Sequence, residues 1–299
     1  MRTLYVSDLD GTLLRSDERT SGHTNRIINE LVAGGVFFSY ATARSYHTAR
    51  RVTAGMNAPF PLIVYNGAVI RDNATGELLT RNTFDKKEAE RLILDLTACA
   101  ISPIVYSFVD GIERFSYDRN TVNAPTGDFI RSRRGDERDR PVSSPEELLA
   151  GDVFYVTCIG SPEKLGPVRE RYTGSLHCVY QRDIYSGEQW LEIMPRNVSK
   201  AGAAARLKEL LGCGRLVAFG DGINDLELFG IADEAYAVEN AAPELKAAAT
   251  GVIGPNDEDS VAEWLYRNAE GTLAPRGTGT FPAGTTGGQT DAVSESRVL

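Results

Sequence analysis

Residues 4–12, Leu4-Tyr5-Val6-Ser7-Asp8-Leu9-Asp10-Gly11-Thr12, decide the fold: a short β-favouring apolar run stops abruptly at two carboxylates and a glycine. Apolar residues without polar alternation mark a strand covered on both faces, and such strands belong to parallel sheets. Asp8 and Asp10 therefore fall at a strand's carboxyl end, where Gly11 lets the chain turn.

Downstream, Ile27, Ile28, Leu31 and Val32 form one helical face that Gly34-Gly35 stops, and residues 36–41 read as the next strand, with Thr42 at its end. A helix over 46–56 and a strand over 61–65 closing on Asn66-Gly67 complete a β, α, β, α, β order. From Phe84 the character changes to a helix over 85–100 and strands over 104–109 and 112–117, joined by Asp110-Gly111 as a hairpin turn. Residues 131–141 read as a charged loop; a strand over 153–159, a helix over 162–172 and strands over 176–181 and 189–194 follow. The parallel pattern then resumes. Ser199 caps a helix over 200–211, a strand over 216–219 runs into Gly220-Asp221-Gly222, and strands over 235–238 and 251–253 alternate with helices begun at Pro243 and at 257–260. The pattern predicts a doubly wound parallel α/β core over 1–83 and 195–270, interrupted by an α+β insertion over 84–194. The insertion's two helix-strand-strand units form a loose duplication. Residues 271–299, rich in Gly, Thr, Pro and Ser, read as a disordered tail.

The 299 residues suffice for two domains, and 42% apolar with 24% charged residues excludes a fibrous or wholly disordered chain. Acidic residues outnumber basic ones 41 to 32, a balance that repels a phosphate backbone and speaks against broad nucleic-acid binding. The N-terminus offers no signal-peptide apolar stretch, and residues 31–43 are too short and glycine-rich to span a bilayer. A soluble cytoplasmic protein with no membrane association is expected. Cys99, Cys158, Cys178 and Cys213 are scattered, as suits inert thiols in a reducing compartment. No oligomeric state follows from the sequence.

Asp8/Asp10, Thr42, Lys200 and Asp221/Asn224/Asp225 all fall at carboxyl ends of core strands or at helix starts facing that edge, where open parallel sheets bind ligands. Their types suit one task. Carboxylates hold a hard cation; a hydroxyl, an amide, an ammonium and helix N-termini hold a phosphate. One of the paired carboxylates can attack phosphorus while the other moves protons, splitting one displacement into two easier ones. Mg²⁺ on Asp8, the Asp10 carbonyl and Asp221 would offset the repulsion between nucleophile and substrate. Taken singly, the pieces are weak: an Asp-x-Asp turn is often a solvated loop, and a lone lysine a surface charge.

Taken in order, SDLDGTL, YATAR, the Lys200 helix start and FGDGIND resemble the four motifs of the haloacid dehalogenase superfamily. The insertion resembles the C2B cap of its Cof-type phosphatases, as do YNGAVI, VENAAPELK and PNDEDSVAEWL. The resemblance spans roughly residues 3–268 and implies a Mg²⁺-dependent phosphatase acting on a small phosphorylated metabolite, sugar phosphates leading. It makes Asp8 the nucleophile and Asp10 the acid/base. Leu9 and Ala43 (by backbone amides), Thr42, Lys200 and Asn224 would hold phosphate, and Asp8, Asp10, Asp221 and Asp225 would form the metal site. Arg44 and Asn66 either contact substrate or cap local backbone. A phosphomutase or phosphotransferase with the same intermediate is the nearest alternative, and a phospho-accepting signalling module a more distant one. Two departures stand out: Ala43 and Ser260 occupy positions where glycine is common in that branch. If the backbone at Ala43 needs a positive φ, alanine costs about 1 kcal/mol. Tyr106, Phe108, Phe115 and Tyr117 alternate as a strand does, which suits a core face better than a substrate cage.

Overall fold

The computed structural model describes residues 1–183 and 186–269; the expected disordered tail, 271–299, lies outside the described residues. The chain opens with β1 (Thr3–Asp8), α1 (Gly22–Ala33), β2 (Phe37–Ala41), α2 (Tyr46–Val52) and β3 (Pro61–Val64). Two strands that the sequence reading did not assign, β4 (Val69–Asp72) and β5 (Leu78–Arg81), come next. Then follow α3 (Lys86–Ala98), β6 (Ile104–Val109), β7 (Ile112–Asp118), α4 (Ala124–Arg131), β8 (Asp139–Val142), β9 (Asp152–Gly160), α5 (Pro162–Tyr172), β10 (His177–Arg182) and β11 (Gln189–Met194). The last part holds α6 (Lys200–Leu210), β12 (Arg215–Gly220), α7 (Leu226–Ile231), β13 (Glu234–Ala237), α8 (Pro243–Ala248), β14 (Gly251–Val252) and α9 (Ser260–Asn268).

Two sheets result. The first runs β14-β13-β12-β1-β2-β3-β4-β5, parallel from β14 to β3 and antiparallel beyond. β1 sits centrally between β12 and β2, which is why Leu4 to Val6 are uniformly apolar and almost fully buried. Truncating Leu4 to Ala would cost about 2–5 kcal/mol. The second sheet, β10-β11-β9-β6-β7-β8, takes all its strands from residues 104–194 and is antiparallel except for the β7–β8 pair. Asp110 and Gly111 both have positive φ, so the β6–β7 hairpin turns where the sequence predicts it.

The charged stretch 131–141 departs from expectation. It closes α4 and supplies β8, and Arg138 within it is buried, donating to Glu113 Oε1 at 2.8 Å and to Asp136 Oδ2 at 2.6 Å. An arginine that finds two carboxylates folds inward rather than staying solvated.

Strand alternation divides the second sheet's residues between its two faces. Val105, Val156, Cys158, Leu191 and Ile193 pack with Leu92, Ile93 and Leu96 of α3 and Leu165 and Val168 of α5. Tyr106, Phe115, Tyr155 and Ile159 join the first sheet's core instead. Tyr65, just after β3, inserts among them, its ring 5.1 Å from Tyr106, 5.0 Å from Phe154 and 5.2 Å from Tyr155. Its hydroxyl donates to Glu113 Oε1 at 2.7 Å. Burial alone would raise the Glu113 carboxyl, but Arg138 and Arg71 outweigh it and hold the group below its ordinary range.

Candidate active site

β1 ends on Asp8, β2 on Ala41 beside Thr42, and β12 on Gly220 beside Asp221. Parallel registers place Asp8 opposite Ala41 and Ser7 opposite Phe219, so these ends share one edge. The turn after β1 passes hard against the turn after β12: Gly11, at φ +75°, leaves no room for a methyl beside the Asp221 carboxylate. Ser199 caps α6, its hydroxyl accepting from the Gly202 amide at 3.1 Å. Gly67, also at positive φ, packs its α-carbon on the Ser199 carbonyl and so seats the start of that helix.

Lys200, the first residue of α6, reaches inward. Its Nζ donates to Asp8 Oδ1 at 2.5 Å and to Asp225 Oδ1 at 2.8 Å, and all three residues are buried. The other Asp225 oxygen accepts from the Asp221 and Gly222 amides at 3.2 and 3.1 Å, fixing the turn that carries Asp221. Thr12 donates its hydroxyl to Asp221 Oδ1 at 3.0 Å.

These contacts leave excess negative charge in a dry place. Burial raises the Asp8 carboxyl; Lys200 opposes the shift, while Asp225, Asp221 and Asp10 add to it. Asp221 is pushed up to about 6, first by burial and then by Asp225. Burial would strip a proton from Lys200, yet Asp225 and Asp8 outweigh it and keep the ammonium charged. Lys200 bonds two of three carboxylates, Asp8, Asp221 and Asp225, each of which offers an oxygen within 4.8 Å of the others. An all-oxygen, over-anionic cluster fits a hard divalent cation such as Mg²⁺.

Most of the remaining sequence-predicted residues converge on the same place. Asp10, Ala43, Arg44 and Asn224 line a cavity of about 790 Å³ together with Asp8, Lys200 and Asp221. The Asp10 side chain is held by Arg44, whose Nε lies 2.9 Å from Oδ2, and is not one of the three grouped carboxylates. Thr42 is buried and accepts the Arg44 amide at 3.1 Å, while Leu9 is buried next to Asp8. The condition for strain at Ala43 is not met, since Ala43 is absent from the residues with positive φ; Ser260 is absent from them too, and its hydroxyl bonds the Pro255 carbonyl at 2.7 Å. Asn66 does not line the cavity: its amide donates to the Tyr155 hydroxyl at 2.9 Å and to Glu192 Oε2 at 3.0 Å, joining the two sheets.

Sequence reasoning missed the opposite wall. Tyr106, Phe115, Tyr155, Thr157, Ile159, Trp190 and Glu192 line the cavity from the second sheet, with Phe129 and Arg133 from α4 and the turn after it. Tyr106 and Phe115 are therefore both core and cavity wall. A polar residue on the core-facing register of an apolar strand, Thr157 in β9 and Glu192 in β11, was the available signal.

The family model for haloacid dehalogenase-like hydrolases matches residues 5–265, so the chain belongs to that family. Within it the protein is an enzyme of the phosphoric monoester hydrolase class. The chain is 26% identical over 290 residues to the 5-amino-6-(5-phospho-D-ribitylamino)uracil phosphatase YwtE of Bacillus subtilis, covering 89% of this chain and 98% of that one. It is 25% identical over 274 residues to YitU, a phosphatase of the same name from that organism, covering 88% and 96%. A haloacid dehalogenase-like hydrolase structure from B. subtilis superposes with a TM-score of 0.72 at 22% identity, covering 90% of this chain and 99% of the other.

Proposed function

We propose that this protein hydrolyses small phosphomonoesters, sugar or polyol phosphates foremost, through a phosphoaspartyl intermediate on Asp8, with residues 84–194 serving as the cap. The observation that carries the reading is the Lys200 ammonium shared by Asp8 and Asp225 beside Asp221, in the cavity that residues of both sheets line.

In this mechanism an Asp8 oxygen attacks phosphorus as the ester P–O bond breaks, and Asp10 gives a proton to the departing alcohol. Asp10 then takes a proton from water, whose oxygen attacks phosphorus; the bond to Asp8 breaks and inorganic phosphate leaves. Lys200 opposes the rise that burial imposes on Asp8 and aims its carboxylate, and Thr42 and the Leu9 and Ala43 amides orient the phosphoryl oxygens. Asp225 holds Lys200 and the Asp221 turn. Asp8, the Asp10 carbonyl and Asp221 would hold Mg²⁺, with Asp225 behind them; its charge, when bound, offsets repulsion between carboxylate and phosphate.

The second sheet's strands line the wall opposite Asp8 and so limit access to the site, favouring a small substrate over a folded phosphoprotein. The two B. subtilis relatives are named for a ribityl phosphate joined to a uracil. On the wall of this cavity Phe129 meets Trp190 edge-on at 5.6 Å and carries the Arg133 guanidinium at 3.3 Å, a platform suited to such a flat group. The test is phosphate release from a panel of sugar, polyol and heterocycle-bearing phosphomonoesters, with Mg²⁺ and with a chelator. Magnesium-dependent release from related esters supports the reading; isomerised phosphate in place of free phosphate refutes it.

A further inference from the structure

The mechanism above leaves one buried carboxylate of the cavity without a task. Glu192 is only 4% exposed, yet it lines the same cavity as Asp8 and Lys200. The groups that hydrogen-bond it are neutral, the Tyr155 hydroxyl and the Asn66 amide, the latter at 3.0 Å. Burial pushes the group up to about 7, so above that pH it is a carboxylate with about four acceptor positions, and capacity remains for donors that enter the cavity.

The surroundings are built to present this group. Glu192 stands opposite Thr157 on β9, with Trp190 opposite Ile159, so one polar spot is framed by apolar faces. Asn66 has positive φ and its Oδ1 is buried without a partner, while its NH₂ serves Tyr155 and Glu192. An unsatisfied buried oxygen destabilises the fold, a cost carried while the carboxylate is held in place.

We infer that Glu192 is a specificity-determining residue: it accepts hydrogen bonds from hydroxyls of a phosphorylated polyol or sugar and repels leaving groups that carry a second negative charge. This rests on the phosphatase reading. Hydroxyl donors complete the carboxylate's shell while the C–H surfaces of the polyol meet Trp190, Phe115 and Ile159. A second anion gains nothing from this carboxylate and is repelled by it, an effect that the Arg51 and Arg133 guanidiniums, which also line the cavity, reduce without removing at the Glu192 side.

The test compares erythritol 4-phosphate with butyl phosphate, the same carbon chain with and without hydroxyls, using the full chain with Mg²⁺. Wild type is expected to favour erythritol 4-phosphate in kcat/KM by about tenfold or more. Glu192→Gln should shrink that ratio to within about threefold while its rate on butyl phosphate stays within about threefold of wild type, and should improve fructose 1,6-bisphosphate relative to fructose 6-phosphate. Glu192→Asp, which withdraws the charge by one methylene, is the second variant and should also shrink the ratio. Equal loss on both esters, or a wild-type enzyme indifferent to the hydroxyls, overturns the inference alone. No phosphate release by wild type from any ester overturns the phosphatase reading and this inference with it.

Discussion

Arg44 clasps the carboxylate of Asp10 as a fork, with Nε 2.9 Å from Oδ2 and Nη2 2.5 Å from Oδ1. The same Nη2 lies 3.7 Å from Glu18 Oε2, so one guanidinium ties the turn after β1 to the residue that follows β2 at the cavity mouth. If Asp10 protonates the leaving alcohol, the clasp has to open as substrate enters, and the incoming phosphate is the natural competitor for Arg44.

Arg44→Gln is therefore expected to lower kcat/KM by roughly tenfold to hundredfold, through loss of orientation at Asp10 and of charge toward phosphate. The pair is part-exposed, so stability should change by no more than about 1 kcal/mol. Steady-state kinetics with a thermal melt separates the two effects, and unchanged kinetics would remove Arg44 from the machinery.

Asp8→Asn should abolish turnover by several orders of magnitude, because an amide cannot attack phosphorus. It should not lower the melting temperature of the metal-free protein by more than a few degrees, since it removes one charge from three crowded carboxylates. Wild-type-like turnover in this variant would sink the mechanism.

Lys200→Met predicts the reverse balance. Asp8 and Asp225 would stay buried with their shared cation gone, at a cost of about 3–5 kcal/mol near neutral pH. Acidification, by protonating the stranded carboxylates, should recover part of that loss. Urea unfolding of the variant at pH 5 and pH 8 checks this, and equal destabilisation at both would mean the loss is one of packing.

The carboxylate cluster also sets a pH dependence for the metal-free protein. Asp221 has its folded value raised from 3.8 to about 6, so the folded state binds more protons than the unfolded one in that window. Its contribution to stability is full below the lower value and is lost as pH rises through the upper one. Mg²⁺ favours the ionised carboxylates, so the melting-temperature gain on adding it should grow from pH 5 to pH 8. A gain that is flat with pH would place the cation elsewhere. Gly11→Ala, which pushes a methyl into Asp221, should reduce the gain at pH 8.

The sequence by itself determined the parallel core and the floor of the site. Buried central strands must be continuously apolar, and Asp8, Thr42 and Asp221 must follow them directly, so strand ends and chemistry are written in the same few residues. The Asp110-Gly111 turn was legible for the same local reason: a two-residue hairpin needs positive φ at both positions. Only the tertiary structure decided what is shared across distance. That Lys200 serves both Asp8 and Asp225, that Arg138 leaves a charged stretch to meet Glu113, and that Asn66 turns to Glu192 rather than into the cavity depend on residues 25 to 192 positions apart. No local pattern encodes such pairings, because charged and amide side chains choose partners by burial and geometry, which exist only once the sheets have packed.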